Sequence, residues 1–147
     1  MGQTLRASVG SLLVVGLAGT ELTPLERAWL KLVRPAGVIL FRRNIQDAAQ
    51  SRDLLAEATS FCAPDNLRCV DVEGGTVDRL RDALAPIPSA QAVAKAGFAR
   101  EHGLLIGRAV KAFGFNTTLA PVLDLALPGS ADVMGTRAAS ATPQGIA

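Results

Sequence analysis

The chain alternates short apolar runs with longer segments in which apolar residues recur every three or four positions. The runs predict β-strands, and the periodic segments predict amphipathic helices. Four strands are predicted, at about residues 12–17, 38–41, 69–72 and 116–121. The apolar runs are continuous, which is typical of parallel strands in a sheet that helices cover. Repeated strand–helix order of this kind gives either a doubly wound sheet or a (β/α) barrel.

The first long helix has a clear start signal. Thr23 can cap the helix, Pro24 suits its first position, and Glu26 lies where a capping box needs an acidic side chain. Apolar residues then recur along one side of the helix, and we expect this stripe to be its inner face. The stripe consists of Leu25, Ala28, Trp29, Leu32 and Val33.

Three more helices follow from similar signals. Asp47 is placed to cap the second helix, a short helix is predicted after Ser89, and a longer one is predicted from about Ala99 to Phe113. The predicted inner faces are Leu54, Leu55, Ala58, Phe61 and Cys62 on the second helix, and Ile106, Ala109, Val110 and Phe113 on the longest.

The last residues resemble another helix start, because Thr142 and Pro143 repeat the earlier capping pattern and the sequence stops about one turn later. A complete (β/α)8 barrel takes roughly 250 residues. We therefore expect residues 1–147 to be one partial domain of α/β class. It would be the first half of a TIM (β/α)8 barrel, with about four βα units and parallel strands, cut off at its C-terminus.

Composition narrows the class of partner. The chain has 147 residues, 49% of them hydrophobic, and a formal net charge of +2. This is a globular composition, and its scattered basic residues do not form a nucleic-acid-binding stripe. The longest apolar run, residues 12–18, is far shorter than the roughly 20 residues that span a bilayer. We expect a cytoplasmic protein that binds neither nucleic acid nor membrane. A signal peptide is the alternative, because Arg6 precedes that run.

Few residues could hold a metal. Cys62 and Cys69 do not form a ligand cluster, and the one histidine, His102, lies on the apolar side of a predicted helix. We expect two buried, reduced thiols, a histidine that packs rather than catalyses, and neither a metal nor an organic cofactor. The oligomeric state is left open.

The most informative polar residue is Asp71, which lies in an apolar run between two valines. Successive strand side chains point to opposite faces, so Asp71 should point away from both valines. A charged group in such a strand needs a partner, a hydrogen bond or a wet site. Gly74 and Gly75 follow, and they allow a sharp turn and the close approach of a ligand. The run is therefore typical of the end of an active-site strand.

Unusual polar residues follow three of the four predicted strands. Because loops after parallel strands emerge at one rim, we expect these residues to line one pocket. Carboxylates and guanidiniums suit a polyhydroxylated or anionic ligand there. The residues are Arg43 and Asn44 after the second strand, Asp71, Glu73, Gly74, Gly75 and Arg79 after the third, and Asp124 and Arg137 after the fourth.

Simpler interpretations stay open for several of them. Asp124 could cap a turn, Glu73 could be a solvated loop residue, and Arg137 could belong to the ordinary surface. Asp71 and Glu73 are two residues apart and could act as an acid–base pair, although the glycines leave their geometry open.

Taken in order, these motifs resemble a known family. Residues 37–44, 71–75, 120–124 and 135–137, together with Arg79, are similar to the N-terminal barrel of glycoside hydrolase family 3. The likeness is strongest to bacterial β-N-acetylhexosaminidases of peptidoglycan recycling, and it covers the chain from about Leu12 onward.

The resemblance implies an O-glycosyl hydrolase that cleaves terminal β-linked N-acetylglucosamine with retention. Asp71, Arg79 and Arg137 match family residues that line the sugar site, and we expect them to meet at one mouth around a pyranose ring. The family's nucleophile is an Asp on a late strand, and its acid/base is a His–Asp pair on a mobile loop. We expect these catalytic groups beyond Ala147, so that this chain carries substrate-binding loops only and is inactive alone.

The chain also departs from the family pattern. Thr76 stands where members have Arg, Thr136 where they have an acidic residue, and Ala138-Ala139 where they have Ser-Phe. These differences remove charge around the expected pocket. A β-glucosidase-type family 3 enzyme and a catalytically dead sugar-binding relic are therefore alternatives, and a doubly wound phosphate-binding domain is a third.

Overall fold

The computed structural model describes residues 5–146. They form two compact units, residues 5–70 with 110–118 and residues 71–109 with 119–146. In chain order the helices and strands are α1 Leu5–Gly10, β1 Val14–Gly16, α2 Pro24–Val33, β2 Gly37–Leu40, α3 Ala48–Thr59, β3 Leu67–Val70, β4 Val72–Gly74, β5 Val77–Asp78, α4 Ala90–Ala96, α5 Ala99–Ala112, β6 Thr117–Thr118, α6 Ala131–Met134 and α7 Pro143–Ile146. Short 3-10 helices cover Arg42–Asn44 and Gly135–Arg137.

A four-stranded parallel sheet forms the first unit, in the order β1-β2-β3-β6. Strands that follow one another along this sheet are therefore neighbours, and the order never reverses. A doubly wound sheet reverses its strand order at a switch point, whereas a barrel wall is wound in one direction. The predicted α/β fold with the parallel strands of a partial barrel is confirmed, and the doubly wound alternative is wrong.

The core of the first unit lies on the helix-covered strands. Val38, Leu40 and Val70 are fully buried, and α3 packs on β2. The predicted inner faces of α3 and α5 are largely correct, since all their residues except the partly buried Phe61 are buried. Strand β1 does lie in the sheet, but at its edge, and Val14 is exposed there. For this first strand, the cover by helices that its continuous apolar run predicted is therefore wrong.

The predicted inner face of α2 is also wrong. Leu30 is 1% exposed, whereas Leu25, Trp29 and Leu32 are exposed. The cause is the rotation of the helix about its axis. The carboxylate of Glu26 accepts a hydrogen bond from the backbone N–H of Ala18, just after β1, and Leu30 lies one turn further along the same side. In this orientation the Glu26–Leu30 side faces the first unit and the apolar stripe is exposed.

The capping box at the start of α2 is confirmed. Thr23 Oγ1 accepts from the Glu26 backbone N–H at 3.1 Å, and Glu26 accepts from the Thr23 backbone N–H at 2.9 Å. Burial opposes the charge of Glu26, but hydrogen bonds from Thr23 and Ala18 outweigh it and lower the pKa of that carboxyl. Its lowered pKa means that the contribution of Glu26 to stability is present near neutral pH and is lost as the pH falls through the folded-state pKa.

We predict that Glu26→Gln lowers the free energy of unfolding at pH 7 by about 0.5–1 kcal/mol, since it weakens one helix cap. The difference from the parent chain should shrink on acidification below the usual glutamate pKa of about 4.3. Urea unfolding at neutral and acid pH measures both effects. Glu21→Gln removes an exposed charge nearby and serves as control. A difference that stays constant with pH would contradict the role given to this carboxylate.

The second unit contains a hairpin that the sequence pattern did not predict. Strand β3 ends at Val70, Asp71 follows outside any strand, and β4 then pairs with β5 in antiparallel fashion. The predicted strand through residue 72 was therefore too long, because Val72 pairs with Asp78 instead. Helices α1 and α6 were also not predicted, whereas α4 and the helix start at Pro143 were.

Gly74 and Gly75 form the turn of this hairpin, with φ angles of 86° and 62° that favour glycine. A Cβ on Gly74 would lie 2.0 Å from the carbonyl oxygen of Pro88, and one on Gly75 would lie 2.7 Å from Cβ of Ser89. The Gly75 backbone N–H also donates to the Ile87 carbonyl at 2.8 Å. The close approach that these glycines permit is thus made by the chain's own residues 87–89.

Both cysteines are free and buried, and burial raises the pKa of the Cys62 thiol. Across residues 5–146, no group of three or more His, Cys, Asp or Glu side chains could hold a metal ion. Within the same range, every helix is too short or too polar to cross a bilayer.

Candidate functional site

The centre of the site is an ion pair between residues 64 positions apart in the chain. Glu73 lies in β4 and Arg137 ends a 3-10 helix. Arg137 donates from Nε to one Glu73 oxygen and from Nη2 to the other, each at 2.8 Å. Glu73 is 7% exposed, so this carboxylate is removed from water and is paired in the bidentate geometry that guanidinium favours. The interpretation of Glu73 as a solvated loop residue is wrong.

A second ion pair lies in the same unit. Arg79 Nη2 lies 3.6 Å from an Asp71 oxygen, and the Arg79 backbone N–H donates to the Asp71 carbonyl at 3.1 Å. The hydrogen bonds from Arg137 to Glu73 raise the pKa of Arg137, burial opposes them, and the charges of Glu73, Asp124 and Asp71 raise it further. Four of the predicted residues therefore share one electrostatic environment.

The three residues expected to touch the sugar keep partial contact with solvent. About a fifth of the Asp71 side chain is exposed, and a little more of Arg79 and Arg137. The Asp71–Arg79 pair presents carboxylate acceptors beside guanidinium donors, which is the chemistry that binds vicinal hydroxyl groups, and Arg137 adds a further guanidinium. The structure brings these residues into one unit, whereas their contact with a sugar stays a prediction.

A buried carboxylate that the sequence pattern did not single out supports this site. Asp78 is 1% exposed and follows the hairpin turn. Its two oxygens accept from the backbone N–H groups of Leu80, at 3.0 Å, and Ile87, at 3.3 Å. Asp78 thus ties the hairpin to the segment that packs on Gly74 and Gly75. The signal in the sequence was a second aspartate seven positions after Asp71, next to a β-branched valine.

His102 has a structural contact. Its Nε2 lies 3.0 Å from the Pro88 carbonyl, which can only accept, so Nε2 carries the proton of this hydrogen bond. The histidine thereby holds the segment that precedes α4, in agreement with the predicted packing role. Thr76 is exposed in the turn between β4 and β5, and Ala138 is buried.

Arg43 and Asn44 belong to the first unit, where they form hydrogen bonds with the loop after β1. Both donate to the Leu17 carbonyl, and Asn44 also donates to the Gly19 carbonyl at 2.8 Å. The Arg43 guanidinium lies 4.8 Å from the centre of the Phe41 ring. A part for these two residues in a sugar pocket stays a prediction, as it does for Asp124, Gly74 and Gly75.

Comparison with protein families gives the class of this fold and site. The glycosyl hydrolase family 3 N-terminal domain matches residues 4–147. The chain belongs to glycosyl hydrolase family 3, and the resemblance seen in its motifs is confirmed.

Curated relatives agree with this assignment. The chain is 37% identical over 145 residues to a β-hexosaminidase of Stenotrophomonas maltophilia strain R551-3, and 41% identical over 145 residues to one of Xanthomonas oryzae pv. oryzae strain KACC10331 / KXO85. Each match covers 92% of this chain and 43% of the relative. The chain therefore spans less than half the length of the curated relatives that it matches.

Solved structures show the same similarity. A family 3 β-N-acetylglucosaminidase from Paenibacillus sp. FPU-7 superposes with a TM-score of 0.89 at 31% identity, over 99% of this chain and 29% of that one. NagZ from Neisseria gonorrhoeae, in complex with N-trifluoroacetyl-D-glucosamine, superposes with a TM-score of 0.76 at 28% identity, over 91% of this chain and 42% of that one.

Proposed function

We propose that this chain supplies the sugar-binding half of a family 3 β-N-acetylhexosaminidase. In this proposal a longer protein hydrolyses terminal β-linked N-acetylglucosamine with retention, and the nucleophile and the acid/base group lie beyond Ala147. The observation that carries the proposal is the bidentate Glu73–Arg137 pair, in one unit with the Asp71–Arg79 pair. The β-hexosaminidase relatives and the NagZ complex with a glucosamine derivative support the choice of sugar.

The roles follow from the chemistry of each group. Asp71 accepts hydrogen bonds from sugar hydroxyls, and Arg79 and Arg137 donate to sugar oxygens from fixed guanidinium planes. Glu73 holds Arg137 in place, because both of its oxygens are engaged by that side chain. None of these four residues is given the role of attacking the anomeric carbon. We therefore assign bond cleavage to the remainder of the longer protein. From the family resemblance we also propose that the longer protein acts in peptidoglycan recycling and is located in the cytoplasm.

We predict that N-acetylglucosamine binds the isolated chain weakly and shifts the amide resonances around Asp71 and Arg137. Arg137→Ala should weaken this binding about tenfold or more, the effect of losing roughly one charge-assisted contact. Heteronuclear NMR titration measures both. Arg108→Ala, on an exposed side of α5, is the matched control and should leave binding unchanged.

Glucose titrated in the same way tests the β-glucosidase alternative, which expects equal or tighter binding of glucose than of N-acetylglucosamine. Shifts confined to residues 5–70 would contradict the proposed site. The chain should also release no aglycone from an aryl β-N-acetylglucosaminide, and measurable turnover would show that the catalytic groups had been misplaced.

A further inference from the structure

His102 lies where three parts of the second unit meet. Its Nε2 donates to the Pro88 carbonyl oxygen at 3.0 Å, and the same nitrogen lies 3.1 Å from the position that a Cβ on Gly74 would occupy. This side chain of α5 therefore lies against both the segment that precedes α4 and the turn of the β4–β5 hairpin. The residue directly before Gly74 is Glu73, whose carboxylate binds the Arg137 guanidinium.

Residues 87–89 are the part of the unit on which this turn packs. The Gly75 backbone N–H donates to the Ile87 carbonyl at 2.8 Å, and a Cβ on Gly75 would lie 2.7 Å from Cβ of Ser89. Because this contact leaves no room for even a methyl group, any shift of residues 87–89 has to move the turn or open a gap beside it. The position of Glu73, at the edge of the turn, therefore depends on the position of this segment.

The same segment also leads toward the other partner of the ion pair. It continues into α4, which packs on the 3-10 helix that ends at Arg137. Within that helix, Thr136 Oγ1 lies 3.6 Å from the Cβ position on Gly75. Residues 87–89 thus support Glu73 through the turn and Arg137 through α4. A bidentate pair needs both partners in a defined orientation, so its geometry is sensitive to this support.

Two side chains hold residues 87–89 in place. Asp78 accepts from the Ile87 backbone N–H at 3.3 Å, but Asp78 belongs to the hairpin itself, so this bond allows the hairpin and the segment to move together. His102 belongs to α5, a helix of 14 residues. Its bond to Pro88 therefore fixes the segment, and with it the turn, relative to a regular element outside the hairpin.

We propose that His102 is a positioning residue of the sugar site. By holding the Pro88 carbonyl it fixes the turn next to Glu73, and through Glu73 it sets the orientation of the Arg137 guanidinium. His102 acts on the ligand only through this pair. The effect on binding of N-acetylglucosamine rests on the proposed function, whereas the effect on the ion pair does not.

Two amide variants of the full chain test the role of the donor. Gln extends far enough to place an N–H where His102 Nε2 lies, whereas Asn is too short to do so. The Arg137 Nε–H resonance, identified by its absence from the spectrum of Arg137→Ala, reports on the ion pair by NMR. We expect His102→Asn to shift this resonance and to speed exchange of its proton with water about tenfold or more, because the pair opens more often. His102→Gln should stay close to the parent chain.

Titration with N-acetylglucosamine gives a second readout, in which His102→Asn should weaken binding about threefold or more and His102→Gln should restore it. Asp47→Ala is the matched control. It removes the N-cap of α3 in the first unit, so it lowers stability without touching residues 87–89 and should leave both readouts unchanged. Circular dichroism shows whether the variants fold.

An Arg137 resonance and exchange rate that are unchanged in His102→Asn overturn the proposal. So does a His102→Gln variant whose resonance departs from that of the parent chain, or an effect of Asp47→Ala as large as that of His102→Asn. A disturbed ion pair with unaltered sugar affinity overturns the role in the sugar site. A parent chain that does not bind N-acetylglucosamine contradicts the proposed function instead, since the Arg137 resonance still decides whether His102 positions the pair.

Discussion

Replacing Glu73 by Gln is expected to lower the free energy of unfolding by about 2–4 kcal/mol, somewhat below the usual loss on breaking a fully buried ion pair because Arg137 is partly exposed. The amide of Gln presents one oxygen where the carboxylate presents two, so one of the two Arg137 contacts is lost. The guanidinium then keeps its charge beside a neutral and largely buried partner. Chemical denaturation followed by circular dichroism measures the change.

The protein offers a matched control for this experiment. Glu57 pairs with Arg27 in the first unit, but about two fifths of each of these side chains is exposed. Exposed pairs of this kind contribute little to stability, so Glu57→Gln should change the free energy of unfolding far less than Glu73→Gln does. Equal losses for Glu73→Gln and Glu57→Gln would show that burial does not set the strength of the Glu73–Arg137 pair.

The second large effect concerns Asp78. Asp78→Ala should lower the free energy of unfolding by about 2–5 kcal/mol, because it leaves two buried backbone N–H groups without an acceptor. Those donors belong to Leu80 and Ile87. Asp78→Asn keeps one oxygen acceptor and should recover part of the loss. Urea unfolding of both variants, compared with the parent chain, measures the series.

Asp53→Ala is the control for this series, since it removes a carboxylate from an exposed position on α3. An Asp78→Ala variant as stable as the Asp53→Ala variant would contradict the role given to Asp78. So would an Asp78→Asn variant less stable than Asp78→Ala, because the order expected from the remaining acceptors would then be reversed.

Local signals predicted the fold best. The predicted caps at Thr23 and Asp47 and the predicted helix after Ser89 are confirmed, since all three side chains accept from backbone N–H groups in the first turn of their helices. Such caps involve neighbours three residues apart, which a sequence displays directly. Continuous apolar runs likewise predicted the parallel strands, because such runs are typical of a sheet buried under helices.

Features that depend on distant parts of the chain were predicted less well. The exposed stripe of α2 has the same periodicity as an inner face, and the side that is buried depends on contacts outside the helix, among them the Glu26 hydrogen bond to Ala18. The strand through Val72 was extended too far, because the apolar pattern continues while the pairing partner changes from β2 to β5.

For the site, likewise, the sequence predicted the residues better than it predicted their contacts. Its residues could be named from strand ends and from the family resemblance, and Asp71 pairs with Arg79 across the short β4–β5 hairpin. Their arrangement could not be named, because the Glu73–Arg137 contact joins segments 64 residues apart. Asp78 was overlooked for a similar reason, since its importance comes from burial and from two backbone partners rather than from a motif.

That long separation also bears on how the protein is made. Ribosomes add about 5–20 residues per second, so Glu73 emerges several seconds before Arg137. During this interval the nascent hairpin holds a carboxylate without its cation, which disfavours its burial. The Glu73–Arg137 contact can therefore form only after Arg137 is synthesised, whereas the strands of the first unit can pair once Thr118 has been added.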